Sequence, residues 1–222
     1  MSIFQEYVFP AASNNNIALL QNATATLKMK LNGSFIKPGY GTIDFIDDYG
    51  FVPRITFTSG ANMSAVSFLI VGYQNNIRIE ETIVGPNTNT VTSVNCFDSI
   101  ESISNIGVDL VNQVSIGTSG VGYFPLIRLN TLKRDVQSLT YALNMIVSAA
   151  NPATYQVFLS LKDSYNQGTY DSLTAANNNF IAPAVAANAS ALLQYTQLAS
   201  NILIKVTPNA NGTILKAQFM QL

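Results

Sequence analysis

Arg54-Ile55-Thr56-Phe57-Thr58, a break at Ser59-Gly60-Ala61-Asn62, then Val66-Ser67-Phe68-Leu69-Ile70, a turn over Gly72 to Asn76, and Ile77-Arg78-Ile79-Glu80 ended by Gly85-Pro86-Asn87: this stretch decides the fold. Apolar and polar residues alternate with a period of two. That spacing puts one row of side chains in a core and the other outside it, as in a half-buried strand. Each run is short and ends in residues that favour turns. Val91 to Phe97, Ile100 to Val108 and Val114-Ser115-Ile116 continue the style. Repeated short strands with regular turns predict a β-sandwich or barrel.

The pattern returns further along. Tyr141 to Val147 reads as a strand, and Ala149-Ala150-Asn151-Pro152 turns the chain. Tyr155, Val157, Leu159 and Leu161 then share a face. Ile202, Ile204 and Val206 alternate before Pro208-Asn209-Ala210-Asn211-Gly212, and Ile214 to Met220 reads as the strand returning from a terminal hairpin. Ile17 to Leu31 has mixed spacing, and the alanine-rich Ala182 to Ser200 suits either a short helix or a loop. The expected architecture is all-β: two small β-sandwich or jelly-roll-like domains in tandem, residues 17–130 and 131–222. An extended N-terminal segment, residues 1–16, reads as an arm that reaches a neighbour, from Phe4, Tyr7, Val8, Phe9 and Pro10 followed by Asn14-Asn15-Asn16.

Composition narrows function. Of 222 residues only 10% are charged, against roughly a quarter in ordinary domains. Asn, Ser, Thr and Gln stand in their place, and Asn177-Asn178-Asn179 repeats the earlier asparagine run. Hydrophobic residues make up 48%, enough for real cores and against disorder. The net charge is −1 and the basic residues are scattered, so no nucleic-acid footprint is expected. Lys28/Lys30 and Lys133/Arg134 read as solvated pairs. Residues 1–130 carry −3 and residues 131–222 carry +2, a mild bias toward head-to-tail contacts between copies. No signal peptide and no membrane-length apolar run is read from the sequence.

Candidate chemistry is sparse. There is no histidine and one cysteine, Cys96, which reads as a buried, inert thiol. Asp44, Asp47 and Asp48 before Gly50 form the best acidic cluster. Their spacing does not fit an EF-hand loop, and a solvated turn explains them. Glu80 and Glu81, adjacent on a strand, point to opposite faces and cannot share a substrate. Gly117 to Gly122 lacks the P-loop ending and reads as a flexible strand connection using positive φ. Sequons at Asn22, Asn32, Asn62, Asn188 and Asn211 follow from composition. No catalytic, cofactor-binding or metal-ligating residue is assigned, no cofactor is expected, and the chain is not expected to be an enzyme.

The segment from Arg54 to Gly120, with Phe68-Leu69-Ile70-Val71-Gly72, Ile79-Glu80-Glu81-Thr82-Ile83-Val84-Gly85-Pro86-Asn87 and Val114-Ser115-Ile116-Gly117-Thr118, resembles a β-rich module of tailed-bacteriophage virion proteins. Ala153-Thr154-Tyr155-Gln156-Val157 through to Gln221 resembles the companion module. The resemblance spans roughly residues 50–222 and brings no catalytic residues with it. It implies a virion structural protein, made in the host cytoplasm: a capsid decoration, cement or other head-associated component. The implied partners are the major capsid protein or other virion proteins, with a homo-oligomer (trimer or dimer), no nucleic acid and no membrane. The alternatives are a tail, collar or head-fibre component, and a carbohydrate- or receptor-binding module using Tyr, Asn and Asp at loop tips.

Overall fold

The computed structural model describes residues 3–24, 27–37, 39, 41–107, 110–129, 141–147, 154–160, 180–183, 188–195, 201–207 and 215–221. Its strands in chain order begin with β1 (Ile3–Phe9), β2 (Ser13–Ala23), β3 (Ile43–Asp44), β4 (Val52–Thr58), β5 (Ser67–Gln74), β6 (Ile77–Val84), β7 (Thr90–Cys96) and β8 (Ser99–Asn105). They continue with β9 (Leu110–Tyr123), β10 (Ile127–Arg128), β11 (Tyr141–Val147), β12 (Thr154–Ser160), β13 (Phe180–Pro183), β14 (Ala191–Tyr195), β15 (Asn201–Thr207) and β16 (Leu215–Gln221). A short helix, α1 (Phe45–Tyr49), follows β3. The fold is all-β, as the alternation predicts.

The chain divides into two compact units. Unit 2 is Ala12–Val121; unit 1 joins Met1–Ala11 to Gly122–Leu222. In unit 2 the strand orders are β2-β9-β4-β7 and β3-β8-β5-β6. In unit 1 they are β1-β16-β11-β14 and β13-β12-β15, with β10 and the end of β9 beside β15. Number the strands of each unit from first to eighth, taking the end of β9 with β10 as the second strand of unit 1. Both units then show first-eighth-third-sixth in one sheet and second-seventh-fourth-fifth in the other. This is the eight-stranded jelly roll, built from two Greek keys.

The domains are therefore not in tandem along the chain. Unit 2 is inserted between the first and second strands of unit 1, and the seam lies at residue 121, not near 130. Residues 1–16 are not an arm. Ile3–Phe9 pairs antiparallel with β16 over seven residues, from Ile3↔Gln221 to Phe9↔Leu215. The aromatic content that suggested a reaching segment is core instead: Phe9 is buried edge-on to Phe124, with ring centroids 5.8 Å apart. Residues 13–16 already belong to β2.

Three local expectations also change. Gly72 lies within β5, and the turn is Asn75-Asn76 alone, with φ of 52° and 63°. Two left-handed residues between Gln74 and its partner Ile77 make the two-residue hairpin turn whose twist matches the strands. Gly117 to Gly122 is part of β9, not a connection, and none of its glycines has positive φ. A Cβ at Gly117 would sit 1.8 Å from the Ser13 carbonyl oxygen, so close backbone approach demands the glycine. The terminal hairpin is absent: β15 pairs with β12, whereas β16 pairs with β1 and β11 in the other sheet. A turn signal shows that the chain reverses, not that the flanking strands pair. Pro208 to Gly212 and Ala149 to Pro152 lie outside the described residues, as do residues 184–187 and 196–200 of the Ala182 to Ser200 stretch; β13 and β14 occupy parts of that last region.

Each unit closes its own core. In unit 2, Phe57 of β4 stacks on Phe68 of β5 with centroids 4.7 Å apart, joining the two sheets. Ile55, Ile70, Ile103, Val114 and Ile116 are fully buried around them. In unit 1, Leu143, Met145, Val157, Ile204, Ala217 and Phe219 fill the space between the sheets. Each large apolar side chain so buried contributes about 1.5–3 kcal/mol against the entropy of ordering the chain.

Candidate functional site

The residues singled out from sequence serve the fold. Asp44 is the N-cap of α1, its Oδ1 accepting from the Asp47 backbone N–H at 2.9 Å. Asp48 pairs with Lys37, Asp47 is exposed, and Gly50 ends the helix at φ 72°. Lys37, Thr42, Asp44, Asp47 and Asp48 line an open cleft. Cys96 is buried on β7. Lys28, bridged to Ser104 of β8, and Lys30, bonded to Gln21 of β2, are both exposed; Lys133 and Arg134 lie outside the described residues.

Glu80 and Glu81 do diverge. Glu80 accepts from Arg78 Nη1 at 2.6 Å, and Glu101 accepts from Arg78 Nε at 3.2 Å. Hydrogen bonds to Glu80 first, then Glu101, raise the guanidinium pKa. Glu81 turns the other way. Its carboxylate accepts from the backbone N–H groups of Val94 (2.6 Å) and Asn95 (2.9 Å) on β7, the edge of the opposite sheet.

Unit 2 guards its other edges too. β2 is covered by the following segment, where Asn32 and Gly33 donate to the Ile17 carbonyl and Phe35 to that of Asn16. Gln21 is held on both sides by the Lys30 backbone. β3 has only two residues, and β6 carries charge. Such devices block edge-to-edge pairing, which leaves sheet faces as the surfaces for contact.

The face that best suits contact is the outer side of β1-β16-β11-β14 in unit 1. Strand register places Glu6, Gln218, Asn144 and Leu192 in one row across all four strands. Asn144 Nδ2 donates to Gln218 Oε1 at 2.9 Å, and Gln218 Nε2 donates to Glu6 Oε2 at 2.6 Å. The flanking rows bring Met220, Ala142 and Gln194 on one side, Val8, Lys216 and Ile146 on the other. Leu192 is 64% exposed, and Met220 and Ile146 are over a third exposed. Among the described side chains the charges here are Glu6 and Lys216, 4.0 Å apart. The surface is aliphatic and amide-lined, with its polar groups already paired in one row. Composition signals such a surface; only the register, set by pairing across the whole chain, locates it.

One group went unremarked in the sequence. Asp98, between β7 and β8, is 8% exposed. Burial first, opposed by the backbone N–H groups of Asn75 and Asn76 and reinforced by Asp44, pushes its carboxyl up to about 6.

Among the described residues no helix is long and apolar enough to cross a membrane. No protein-family model matches the chain, and no curated protein matches it. Among solved structures it is similar to the crystal structure of the STIV MCP, at 10% identity over 98% of this chain and 97% of that one, with a TM-score of 0.20. That score is too low to weigh on function, so the architecture stands on its own strand order.

Proposed function

We propose that this chain is a structural component of a virion that works by protein–protein assembly, as a capsid decoration or head-associated protein. Jelly rolls also serve lectins and cupins, so the fold permits this role without choosing it. The observation that carries the reading is the outer face of β1-β16-β11-β14, where aliphatic side chains surround a hydrogen-bonded Glu6–Gln218–Asn144 row. Burying such a face costs little, because its amides keep partners and it holds few ions to desolvate. Interface cores are depleted in charge for the same reason. Guarded edges in unit 2 favour contacts that stop at a defined partner over open-ended strand addition.

Partners of this kind are the major capsid protein or other virion proteins, together with further copies of the chain as a dimer or trimer. Weak contacts repeated on one lattice reinforce one another through effective concentration. The test is imaging at side-chain resolution of particles purified from cells that make the chain. The expected result is many copies over the shell, with the β1-β16-β11-β14 face buried. A chain missing from the particles, or present with that face in solvent, overturns the proposal. A few copies at one vertex would move the assignment to a collar or tail.

A further inference from the structure

Asp98 sits where three pieces of unit 2 meet. Its carboxylate accepts from the Asn75 backbone N–H, with the Asn76 N–H as a second donor. Its own N–H donates to the Tyr73 carbonyl at 2.8 Å, and its carbonyl accepts from the Phe45 N–H at 2.7 Å. One residue thus joins the tip of the β5–β6 hairpin to the start of α1.

The electrostatics there are one-sided. The ion pairs among the described residues are Lys37–Asp48, Arg78–Glu80, Arg78–Glu101 and Lys216–Glu6, none of which includes Asp98. From the β3–α1 junction Asp44 adds a like charge. On α1 itself, Asp47 is exposed and Asp48 is taken by Lys37. On β6 Arg78 is taken by Glu80, and by Glu101 of β8. A buried carboxylate with a like charge near it and no cation paired to it is more comfortable neutral. Two backbone N–H groups favour the ion, but they are outweighed.

The hairpin tip is the piece that faces solvent. Asn75 and Asn76 form its two-residue turn, and Ile77 beside them is 65% exposed. Opening the tip would let water reach the carboxylate.

We propose that the Asn75–Asn76 tip is a pH-responsive element operated by Asp98, held closed in mild acid and biased toward opening when the carboxylate ionises. The closed tip binds the proton more tightly than the open one, so opening releases it and becomes easier as pH rises. Full return of the carboxyl to water would change the opening equilibrium up to about a hundredfold between pH 4 and pH 7.

The test is amide hydrogen exchange by NMR on the full chain, corrected for the intrinsic pH dependence. The opening constants of the Asn75 and Asn76 amides should rise at least about tenfold from pH 4.5 to pH 7.5. Asp98→Asn keeps an acceptor oxygen and should remove the dependence. A wild-type profile flat within about twofold overturns the proposal, and so does an Asp98→Asn variant with the wild-type slope. If Asp98→Asn does not fold, Asp44→Asn replaces it, since asparagine also caps helices. Loss of the like charge should move the midpoint to lower pH; an unmoved midpoint overturns the proposal.

Discussion

The carboxylate of Glu81 receives both the backbone N–H and the side-chain Nδ2 of Asn95, each at 2.9 Å. Glu81 belongs to β6 and Asn95 to β7, the edge strands of the two sheets of unit 2. One side chain therefore stitches the sheets together and satisfies N–H groups that an edge would otherwise offer to another chain. Glu81→Ala should cost about 1–3 kcal/mol in denaturant unfolding, as expected when bonds to a charged acceptor are lost. It should also raise aggregation. Glu81→Gln should fall between, and a Glu81→Ala variant as stable and as dispersed as the parent would refute the role.

Gly117 and Gly60 make a matched pair. A methyl group at Gly117 meets the Ser13 carbonyl oxygen at 1.8 Å, whereas one at Gly60 meets nothing within 4 Å. Gly117→Ala should destabilise by at least about 2 kcal/mol through forced backbone movement. Gly60→Ala should stay within about 0.5 kcal/mol. Thermal unfolding of the two variants decides.

Phe9 anchors the first strand of unit 1 against Phe124. Phe9→Ala should cost about 3–5 kcal/mol, the usual range for emptying a buried aromatic site. Limited proteolysis should show unit 1 opening first. A Phe9→Ala variant as resistant as the parent would restore the view of residues 1–16 as an arm that reaches a neighbour.

The outer face of β1-β16-β11-β14 can be probed without disturbing the core. Leu192→Glu with Ile146→Lys places charge on exposed positions, so folding should change by only about 0.5 kcal/mol per site. Light scattering should report a smaller assembly and particle binding should fall. Unchanged assembly would remove this face from consideration.

Asp98 also predicts the pH dependence of the whole fold. Its folded pKa is raised to about 6, above the ordinary carboxylate value of about 3.9. The folded state then holds the proton more tightly, so this group's contribution is greatest below about pH 4 and is lost as pH rises through about 6. The loss is on the order of 3 kcal/mol. Melting temperature followed from pH 4 to pH 8 should decline in the parent relative to Asp98→Asn; parallel curves would argue against the shift.

Strand identity was legible because period-two alternation is local: Ile55 with Phe57, and Tyr155 with Val157 and Leu159, announce themselves within a few residues. Pairing was not, because it is non-local. Nothing near Leu215 says that its strand lies between β1, some two hundred residues away, and β11. The asparagine richness was only half understood. Asn75 and Asn76 make a turn, and Asn16 and Asn105 are buried, donating to Thr118 and to the Ala23 carbonyl. These amides belong to the scaffold, and surface neutrality rests on the rest. Nothing local marks Asp98, because the groups that bury and bond it, Phe45, Tyr73 and Asn75, come from segments far along the chain.

The insertion of unit 2 between the first and second strands of unit 1 sets a timetable for synthesis. As the chain leaves the ribosome, all eight strands of unit 2 emerge before unit 1 has more than its opening strand. That strand, β1, must wait for β16, which follows every other described strand of both units. The newborn polypeptide thus carries a solitary sticky ribbon through most of its translation, the phase in which a chaperone would have most to shield.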